Sequence, residues 1–437
     1  MKKKLYIETY GCQMNIVDSE IVVSILSEQY QVTTEMNEAD LFLINTCSVR
    51  EHAEQRIRKR LRELNALKKR NPYLIVGLLG CMAERLKEQL LNEEATLDII
   101  VGPDAYRTLP QLIEEATIGK HGVNVLLSKE ETYDDIVPVR YDSNHVSAFI
   151  SIMRGCNNFC SYCVVPYTRG RERSRDPETI LQEAEILQQK GYKDITLLGQ
   201  NVNSYRWNDH GKEIYFAQLI ELIAQKFPNI WIRFATSHPK DISDDLIDVI
   251  AKYDHVCKHI HLPVQTGSNN MLRKMNRVYT REYYLERIKT IKAKIQDCSI
   301  TTDLIIGFCG EKEADHQETL SIMQEVGYSS AFMFKYSVRE NTKAAKEFEN
   351  DVTEQDKSRR FNEVLDLQQQ LSLESNQKDI GKTFTVLVEG VSKRSEDHLF
   401  GRNSQNKVVV FPKNNHNIGD FVSVTITQCT PATLIAE

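Results

Sequence analysis

The sequence predicts an α/β protein in three successive parts: an N-terminal parallel α/β sheet domain, a central partial (β/α)6 barrel and a small C-terminal all-β barrel of the OB-like kind. Three patterns predict this. In the first third of the chain an apolar strand ends in a cysteine and a helix begins three times over, and Cys12, Cys47 and Cys81 are spaced 35 and 34 residues apart. Strand–helix units of that length build a parallel sheet through right-handed crossovers. From Val146 the alternation resumes with six further strand candidates, and after Gly381 it gives way to short strands and turns. The expected domains are 1–135, 142–373 and 376–437.

A chain of 437 residues with 41% apolar content can bury several cores. Its net charge of −6 excludes a uniformly basic nucleic-acid-binding surface and leaves room for a local basic patch. No apolar run has the length of a membrane span, and the start, MKKKLYIETYGCQ, lacks the unbroken apolar core of a signal peptide. A cytoplasmic location is therefore expected, and in a reducing compartment the ten cysteines read as metal ligands or core residues rather than disulfides.

Lys4–Thr9 reads as the first strand, broken at Gly11–Cys12–Gln13 before a helix carrying Ile16, Ile21, Val22, Ile25 and Leu26. Asp40–Thr46 is a strand apolar on both faces that ends at Cys47, after which Ser48 can cap a helix with Ile57, Leu61 and Leu64 on one side. Tyr73–Leu79 is the next strand; it ends at Gly80–Cys81 and is followed by a helix with Leu86, Leu90 and Leu91. All three thiols then lie beyond the carboxyl ends of neighbouring strands, where open α/β sheets bind ligands. They read either as a three-cysteine cluster or as small buried apolar residues. The helix after Cys47 is rich in Arg56, Arg58, Lys59, Arg60, Arg62, Lys68, Lys69 and Arg70, a solvated face or a phosphate-contacting rim. A helix at Leu109–Thr117, a strand around Val123–Leu127 and an acidic linker with Asp134, Asp135 and Pro138 complete this part.

The central strands are expected at Val146–Met153, Asp194–Leu198, Trp231–Ala235, Lys258–Pro263, Ser299–Ile306 and Ser330–Tyr336, with Asp176 capping a helix at Pro177–Lys190. Directly after the first of them, Cys156, Cys160 and Cys163 form a C-x3-C-x2-C loop with no fourth cysteine and no nearby histidine. A closed zinc site or a ferredoxin cluster would take four ligands. Three thiolates on a 4Fe-4S cluster leave one iron open, as catalysis needs; a distorted zinc knuckle is the plain alternative. Active-site groups of (β/α) barrels sit at the carboxyl ends of strands. Gln200 and Asn201, Ser237, and Gln265 lie there, and Asp303 lies within the fifth strand. His238 reads as a loop residue rather than a catalytic base. Arg169, Arg171, Arg173 and Arg175 follow the cysteines, and Arg273, Lys274 and Arg277 form a second basic group; both suit phosphate, or else pair with nearby acids such as Glu172 and Asp176.

A polar helix at Asp351–Asn376, with Phe361, Val364, Leu365 and Leu371 on one side, leads to the terminal strands TFTVLVEG, HLFGRN, KVVVFP, FVSVTIT and ATLIA. Barrels of this kind bind RNA through groove charge and aromatic stacking. Acids and bases nearly balance here, so binding would rest on a face around Lys393, Arg394 and Arg402; a structural cap is the alternative.

The C-x3-C-x2-C loop, with Tyr162 before its last cysteine, resembles the radical S-adenosylmethionine (SAM) superfamily. The run YGCQMNIVDSE, NTC at Asn45–Cys47 and GC at Gly80–Cys81 resemble its methylthiotransferase branch, and the terminal segment is similar to the TRAM domain. The likeness covers nearly the whole chain. It implies that Cys156, Cys160 and Cys163 hold a 4Fe-4S cluster whose open iron binds SAM and whose electron cleaves it to a 5′-deoxyadenosyl radical. It implies an auxiliary 4Fe-4S cluster on Cys12, Cys47 and Cys81, and SAM contacts at Tyr162, Gln200, Asn201, Ser237, Gln265 and Asp303. LLGQNVNSY and LPVQTGSNNMLRKMNRVYT are similar to the enzymes of that branch that act on tRNA. They imply transfer of a methylthio group to C2 of N6-isopentenyladenosine next to the anticodon, one SAM methylating cluster-bound sulfur and a second giving the radical that removes hydrogen, with no protein acid or base. Arg169, Arg171, Arg173, Arg273, Lys393, Arg394 and Arg402 are the expected RNA contacts. The expected partners are the anticodon stem-loop of an isopentenylated tRNA, a reductant such as flavodoxin or ferredoxin, and a sulfur donor, with no membrane and a monomeric chain. The alternatives are a sibling substrate, threonylcarbamoyl-adenosine of tRNA or an aspartate of a ribosomal protein, or a non-catalytic iron–sulfur protein that binds RNA or carries electrons. Two positions depart from the family: Cys309 where proline is usual, and Glu340–Asn341 where a proline–glycine pair is usual.

Overall fold

The computed structural model describes residues 2–47, 51–141 and 144–437. Ser48, the expected helix cap, and the side chain of Leu91 lie outside what is described. The chain divides into two compact units: Met1–Asp142 with Met153–Asn157 and Cys163–Arg175, and Ser143–Ile152 with Asn158–Tyr162 and Asp176–Glu437.

In the first unit six parallel strands run in the order Tyr30–Val32, Lys3–Tyr10, Leu41–Thr46, Ile75–Gly80, Ile99–Val101, Gly122–Asn124. Leu41–Thr46 and Ile75–Gly80 are buried at every position, because helices cover both faces of a parallel sheet. Ile57, Leu61 and Leu64 of the helix Glu51–Arg70 are buried as their spacing predicts. The strand expected from Tyr73 begins two residues later: Asn71–Leu74 closes as a turn, with Leu74 N donating to Asn71 O at 3.1 Å, and Tyr73 stands in solvent. The helix after Cys81 is two short ones, Cys81–Leu86 and Glu88–Glu93, separated by Lys87 at φ 49°. The strands Tyr30–Val32 and Ile99–Val101 are additions; three residues are too few to show a period.

The segment expected as an acidic linker packs onto this unit instead. Tyr133 is buried, its hydroxyl donating to Pro103 O and accepting from Tyr106 N, both at 3.0 Å, while Arg107 pairs with Glu131 and Asp135 and Arg140 with Glu20. Beneath it lies a fully buried charge network. Asp18, on the first helix Gln13–Leu26, accepts from Arg154 at 2.9 Å and from Arg169 at 2.7 Å; Asp104 pairs with Arg173 at 2.9 Å and with Arg154 at 3.5 Å.

In the second unit, Ser147–Ser151, Asp194–Leu198 and Trp231–Ala235 form one parallel sheet, and His259–His261, Ser299–Ile306 and Ser330–Lys335 another. A bridge from Ile232 to Val256 carries the order across, giving the expected open barrel of six strands in chain order. Asp176 caps the helix Pro177–Gln189 as predicted, accepting from Glu178 N at 2.8 Å. A hairpin, Arg206–Asp209 with Lys212–Tyr215, was not expected.

The long helix is Glu354–Gln377, capped by Thr353. Its buried positions include Lys357, Arg360 and Gln368 beside Val364 and Leu371, whereas Phe361 and Leu365 are only half-buried. Arg360 pairs with Glu311 at 2.9 Å and Gln368 donates to Tyr328 O at 3.0 Å, so this face is held by polar contacts as much as by apolar ones. The last five strands, Thr383–Val391, His398–Asn403, Val408–Pro412, Phe421–Cys429 and Leu434–Ala436, close into a barrel around Val386, Leu399, Val409, Phe411 and Val424. It docks on the central strands through Arg233, which donates to Asn403 O at 3.0 Å, and through Phe421 against Trp231.

Both departures from the family have a physical reading. Asn341 lies at φ 68°, the left-handed region that suits the usual glycine and that asparagine tolerates best among other residues. Cys309 is buried among Met271, Phe308 and Tyr336, where a small apolar side chain is required.

Two outcomes follow for thermal unfolding. Asn341→Gly should leave the melting temperature unchanged, while Asn341→Val, with a branched side chain at the same φ, should cost about 1–2 kcal/mol. Asp18→Asn keeps the shape but removes the negative charge between two buried guanidinium groups, and should cost about 3–5 kcal/mol, read as a melting point lower by many degrees.

Candidate functional site

Tyr10, Thr46 and Gly80 are in register on three adjacent strands, so Cys12, Cys47 and Cys81 emerge side by side just beyond their carboxyl ends. The Cys47 thiol hydrogen-bonds to both Cys12 and Cys81. Gly11 makes this approach feasible: it lies at φ +117°, and a Cβ there would stand 2.5 Å from that of Cys47. Asn45 ties the strand end to the first helix, donating to Asn15 O at 2.9 Å and Ser19 Oγ at 3.0 Å, and Asn15 Oδ1 accepts from Cys12 Sγ at 3.4 Å.

Arg169 closes the site from the other side. Its Nε donates to Cys81 Sγ at 3.2 Å and its Nη2 to Asp18 and Asn15, while its buried Nη1 has no partner among the described residues. The hydrogen bonds from Cys47, helped against burial by the charge of Arg169, lower Cys12 to about 7 and Cys81 to about 6; the same bonds push Cys47 up. Glu84, one turn after Cys81, is buried, and burial raises its carboxyl to about 8, so it stays protonated at neutral pH and adds no negative charge beside the thiols. Three converging soft donors, two of them ready to ionise, with a buried cationic donor lacking an acceptor, fit a thiolate-bound metal group with a position left open.

The C-x3-C-x2-C loop passes from one unit to the other, with Cys156 and Cys163 in the first and Cys160 in the second. In the first unit Gly155, at φ +79°, passes so close to the Arg171 carbonyl that any side chain would collide, and Cys156 N donates to Gly170 O at 3.1 Å. In the second unit the backbone around Cys160 is stitched to Lys274–Arg277. Ser161 N donates to Met275 O, Ser161 Oγ to Lys274 O, and Asn276 Nδ2 to the carbonyls of Asn158 and Phe159. Arg277 completes the seam with Nη1 donating to Cys160 Sγ at 3.3 Å. Tyr162 sets its edge against Phe308, with centroids 6.4 Å apart.

The polar groups expected at the barrel strand ends form a set of unpartnered atoms. Asn201 is buried and donates to Asp241 at 2.7 Å, which leaves its Oδ1 without a partner among the described residues; Gln200 Oε1, Ser237 Oγ and both side-chain atoms of Asn203 are in the same state. Interiors seldom leave so many polar atoms unpaired at one place unless a polar ligand belongs there. Thr236 at φ 73° and Gln265 at φ 72° hold non-glycine residues in the left-handed region at the same ends. Asp303 has a partner instead, His261 Nε2 at 3.4 Å. His238 is buried beside Ser237 and accepts from Lys240 N, and burial with the nearby Arg277 lowers it to about 2, so it remains neutral and is no proton store.

Two of the residues expected to meet RNA are corrected. Arg169 and Arg173 are 3% and 7% exposed and bound to Asp18 and Asp104, because buried carboxylates claim their guanidinium groups. Arg277, expected in a basic patch, is likewise buried. Arg171, Arg273, Lys393 and Arg394 are exposed, and Arg402 is half-exposed and paired with Glu389. On the basic helix, Arg58, Arg60 and Lys68 pair with Glu93, Glu8 and Asp98, so its charge serves packing as well as solvent. Sequence reasoning missed Asn15, Asp18, Asn203, His261 and the role of Arg277. The polar pair Asn15 and Asp18, three apart inside YGCQMNIVDSE, was the available signal.

Family profiles match the uncharacterized protein family UPF0004 over residues 4–102, the radical SAM superfamily over 150–323 and the TRAM domain over 377–437. Curated relatives named tRNA-2-methylthio-N(6)-dimethylallyladenosine synthase are 56% identical in Bacteroides fragilis, covering 100% of this chain and 95% of that protein, and 51% identical in Porphyromonas gingivalis, covering 100% and 94%. Among solved structures, the radical SAM methyltransferase TsrM from Kitasatospora setae, with cobalamin and a [4Fe-4S] cluster bound, has a TM-score of 0.59 at 14% identity, covering 79% of this chain and 77% of that one. At that identity the likeness concerns the fold. The conserved length and the order of the three matched regions leave one conclusion: the chain belongs to the tRNA-2-methylthio-N(6)-dimethylallyladenosine synthase family of radical SAM methylthiotransferases.

Proposed function

We propose that this chain replaces the hydrogen at C2 of N6-isopentenyladenosine, next to the anticodon of tRNA, with a methylthio group. The observation that carries the reading is the meeting of Cys12, Cys47 and Cys81 at three adjacent strand ends in a chain that also bears the C-x3-C-x2-C loop. Relatives matched over the full length carry the corresponding name.

In this reading Cys12, Cys47 and Cys81 hold an auxiliary 4Fe-4S cluster and Cys156, Cys160 and Cys163 hold the one that binds SAM. The bound clusters and SAM supply the sulfur, methyl and one-electron chemistry that an inert aromatic C–H demands. The chain's part is to bind and to orient. Gln200, Asn201, Asn203 and Ser237 offer unpartnered polar atoms to the amino, carboxylate and ribose groups of SAM, with Tyr162, Gln265 and Asp303 around them. His238, held neutral, takes no proton from the substrate. The adenine must leave its stack to react, which a single-stranded anticodon loop permits at modest cost. Arg171, Arg273, Lys393 and Arg394 are exposed cations suited to its phosphates, with Arg402 at their margin. The functional domains are assigned as 1–135, 142–373 and 376–437. A cytoplasmic monomer, fed electrons by a flavodoxin or ferredoxin and sulfur by a separate donor, completes the reading, since tRNA is a cytoplasmic substrate.

The decisive experiment is anaerobic reconstitution with iron, sulfide, reductant, SAM and isopentenylated tRNA, followed by mass spectrometry of the nucleosides. The wild type should yield the methylthio nucleoside. Changing Cys12, Cys47 and Cys81 together to alanine should abolish it, halve the bound iron from about eight to about four atoms per chain, and leave SAM cleavage running. SAM cleavage with an unmodified nucleoside would redirect the assignment to threonylcarbamoyl-adenosine or the ribosomal aspartate, and no cleavage at all to a non-catalytic iron–sulfur protein. Ser237→Ala removes an oxygen that no protein group needs, so it should leave the melting temperature alone and weaken SAM binding about 5- to 10-fold, as titration calorimetry would register.

A further inference from the structure

We propose that Arg277 is a positioning residue for the SAM-binding cluster, whose guanidinium donates to the Cys160 sulfur and raises the potential at which the cluster accepts its electron. The proposal rests on the assignment of Cys160 to that cluster and extends it to a residue with no place in the ligand set.

Three observations carry it. Arg277 is 6% exposed, and among the described residues no carboxylate forms an ion pair with it. Its Nε donates to Tyr279 Oη at 3.0 Å, its Nη2 to Pro263 O at 2.8 Å and its Nη1 to Cys160 Sγ at 3.3 Å. Of these three acceptors, the sulfur is the one assigned to the cluster.

The second observation is rigidity. Four hydrogen bonds join Asn158–Ser161 to Lys274–Asn276, and Tyr279 in turn donates to Val264 O at 3.0 Å. Both segments that carry the N–H···S contact are therefore tied to each other by hydrogen bonds.

The third is the contrast with Arg169 in the other unit. That arginine also donates to a cysteine, Cys81, but Asp18, which it shares with Arg154, partly balances it at 2.7 Å. Hydrogen bonds and positive charge at a ligating sulfur draw electron density from the metal and favour the reduced cluster. Arg277 brings both without an ion-paired carboxylate among the described residues, whereas the charge of Arg169 is shared with Asp18.

The test uses the full chain with Cys12, Cys47 and Cys81 changed to alanine, so that one cluster remains, reconstituted anaerobically and titrated with dithionite while the electron paramagnetic resonance signal of the reduced cluster is followed. Arg277→Gln should keep about four iron atoms per chain and move the midpoint to a more negative potential. Arg277→Lys, which keeps the charge and loses the fork, should move it less in the same direction. An unchanged midpoint in iron-loaded Arg277→Gln overturns the proposal. Where Arg277→Gln takes up no iron, Arg277→Lys decides: a negative shift supports the proposal and an unchanged midpoint overturns it. A parent protein that loads no 4Fe-4S cluster fails the assignment of Cys160 itself, and this inference falls with it; a parent that loads, cleaves SAM and shows no shift on substitution fails this inference alone.

Discussion

Asp18 sits where a helix facing the core would ordinarily carry an aliphatic residue, and two guanidinium groups converge on it. Burial opposes its charge, but Arg154 and Arg169 outweigh that cost and hold its carboxyl below the usual range. Asp104 pairs with Arg154 and Arg173, but there burial prevails and raises the carboxyl. Three buried arginines thus stand against two buried aspartates, and Arg169, whose aspartate is shared with Arg154, is only partly balanced next to Cys81. Glu84, the nearby acid that might have completed the balance, is kept neutral by burial. The first unit therefore surrounds its cysteines with positive potential, the environment that lowers a thiol and favours metal ligation.

Backbone geometry provides the other constraint. Parallel strands in register deliver three cysteines to one edge, but the thiols meet only because Gly11 has no side chain to keep Cys47 away. Asn45 and Asn15 then spend their hydrogen bonds on holding the strand end and the helix start together, which explains why a helix read as apolar carries so many buried polar residues on its first turns. The same economy governs the other cysteine loop, where Gly155 passes beneath the Arg171 carbonyl.

What the sequence made legible follows from the range of the interactions involved. The six cysteines, the strand ends that carry Gln200, Asn201 and Ser237, and the cap at Asp176 are all local in the chain, and spacing alone locates them. The arginines were misread because their partners are remote: Arg169 finds Asp18 across 151 residues and Arg173 finds Asp104 across 69. A cluster of arginines beside an acidic residue looks like a solvated loop until the fold brings distant carboxylates to it. The buried face of the Glu354–Gln377 helix was misjudged for a related reason at Arg360, which meets Glu311 across 49 residues, while Lys357 meets Asn350 and Glu354 of its own helix. Asn341 could be anticipated, because the glycine usual at that position already signals a left-handed backbone.

Burying arginine beside cysteine ties folding, thiol ionisation and metal binding into one equilibrium. When Cys81 is protonated, Arg169 keeps an N–H on its sulfur but loses part of the opposing charge; when it ionises, that charge is balanced more fully. Metal binding draws on the ionised form, so the free energy gained at the metal also relieves that buried cation. The two sites differ in what surrounds the arginine. Arg169 shares Asp18 with Arg154 and is partly balanced before any thiol ionises, whereas Arg277 has two neutral oxygens and one sulfur around it. The contact at Cys160 accordingly sets against sulfur a guanidinium with no ion-paired carboxylate among the described residues, while the contact at Cys81 uses one whose charge is already shared with an aspartate.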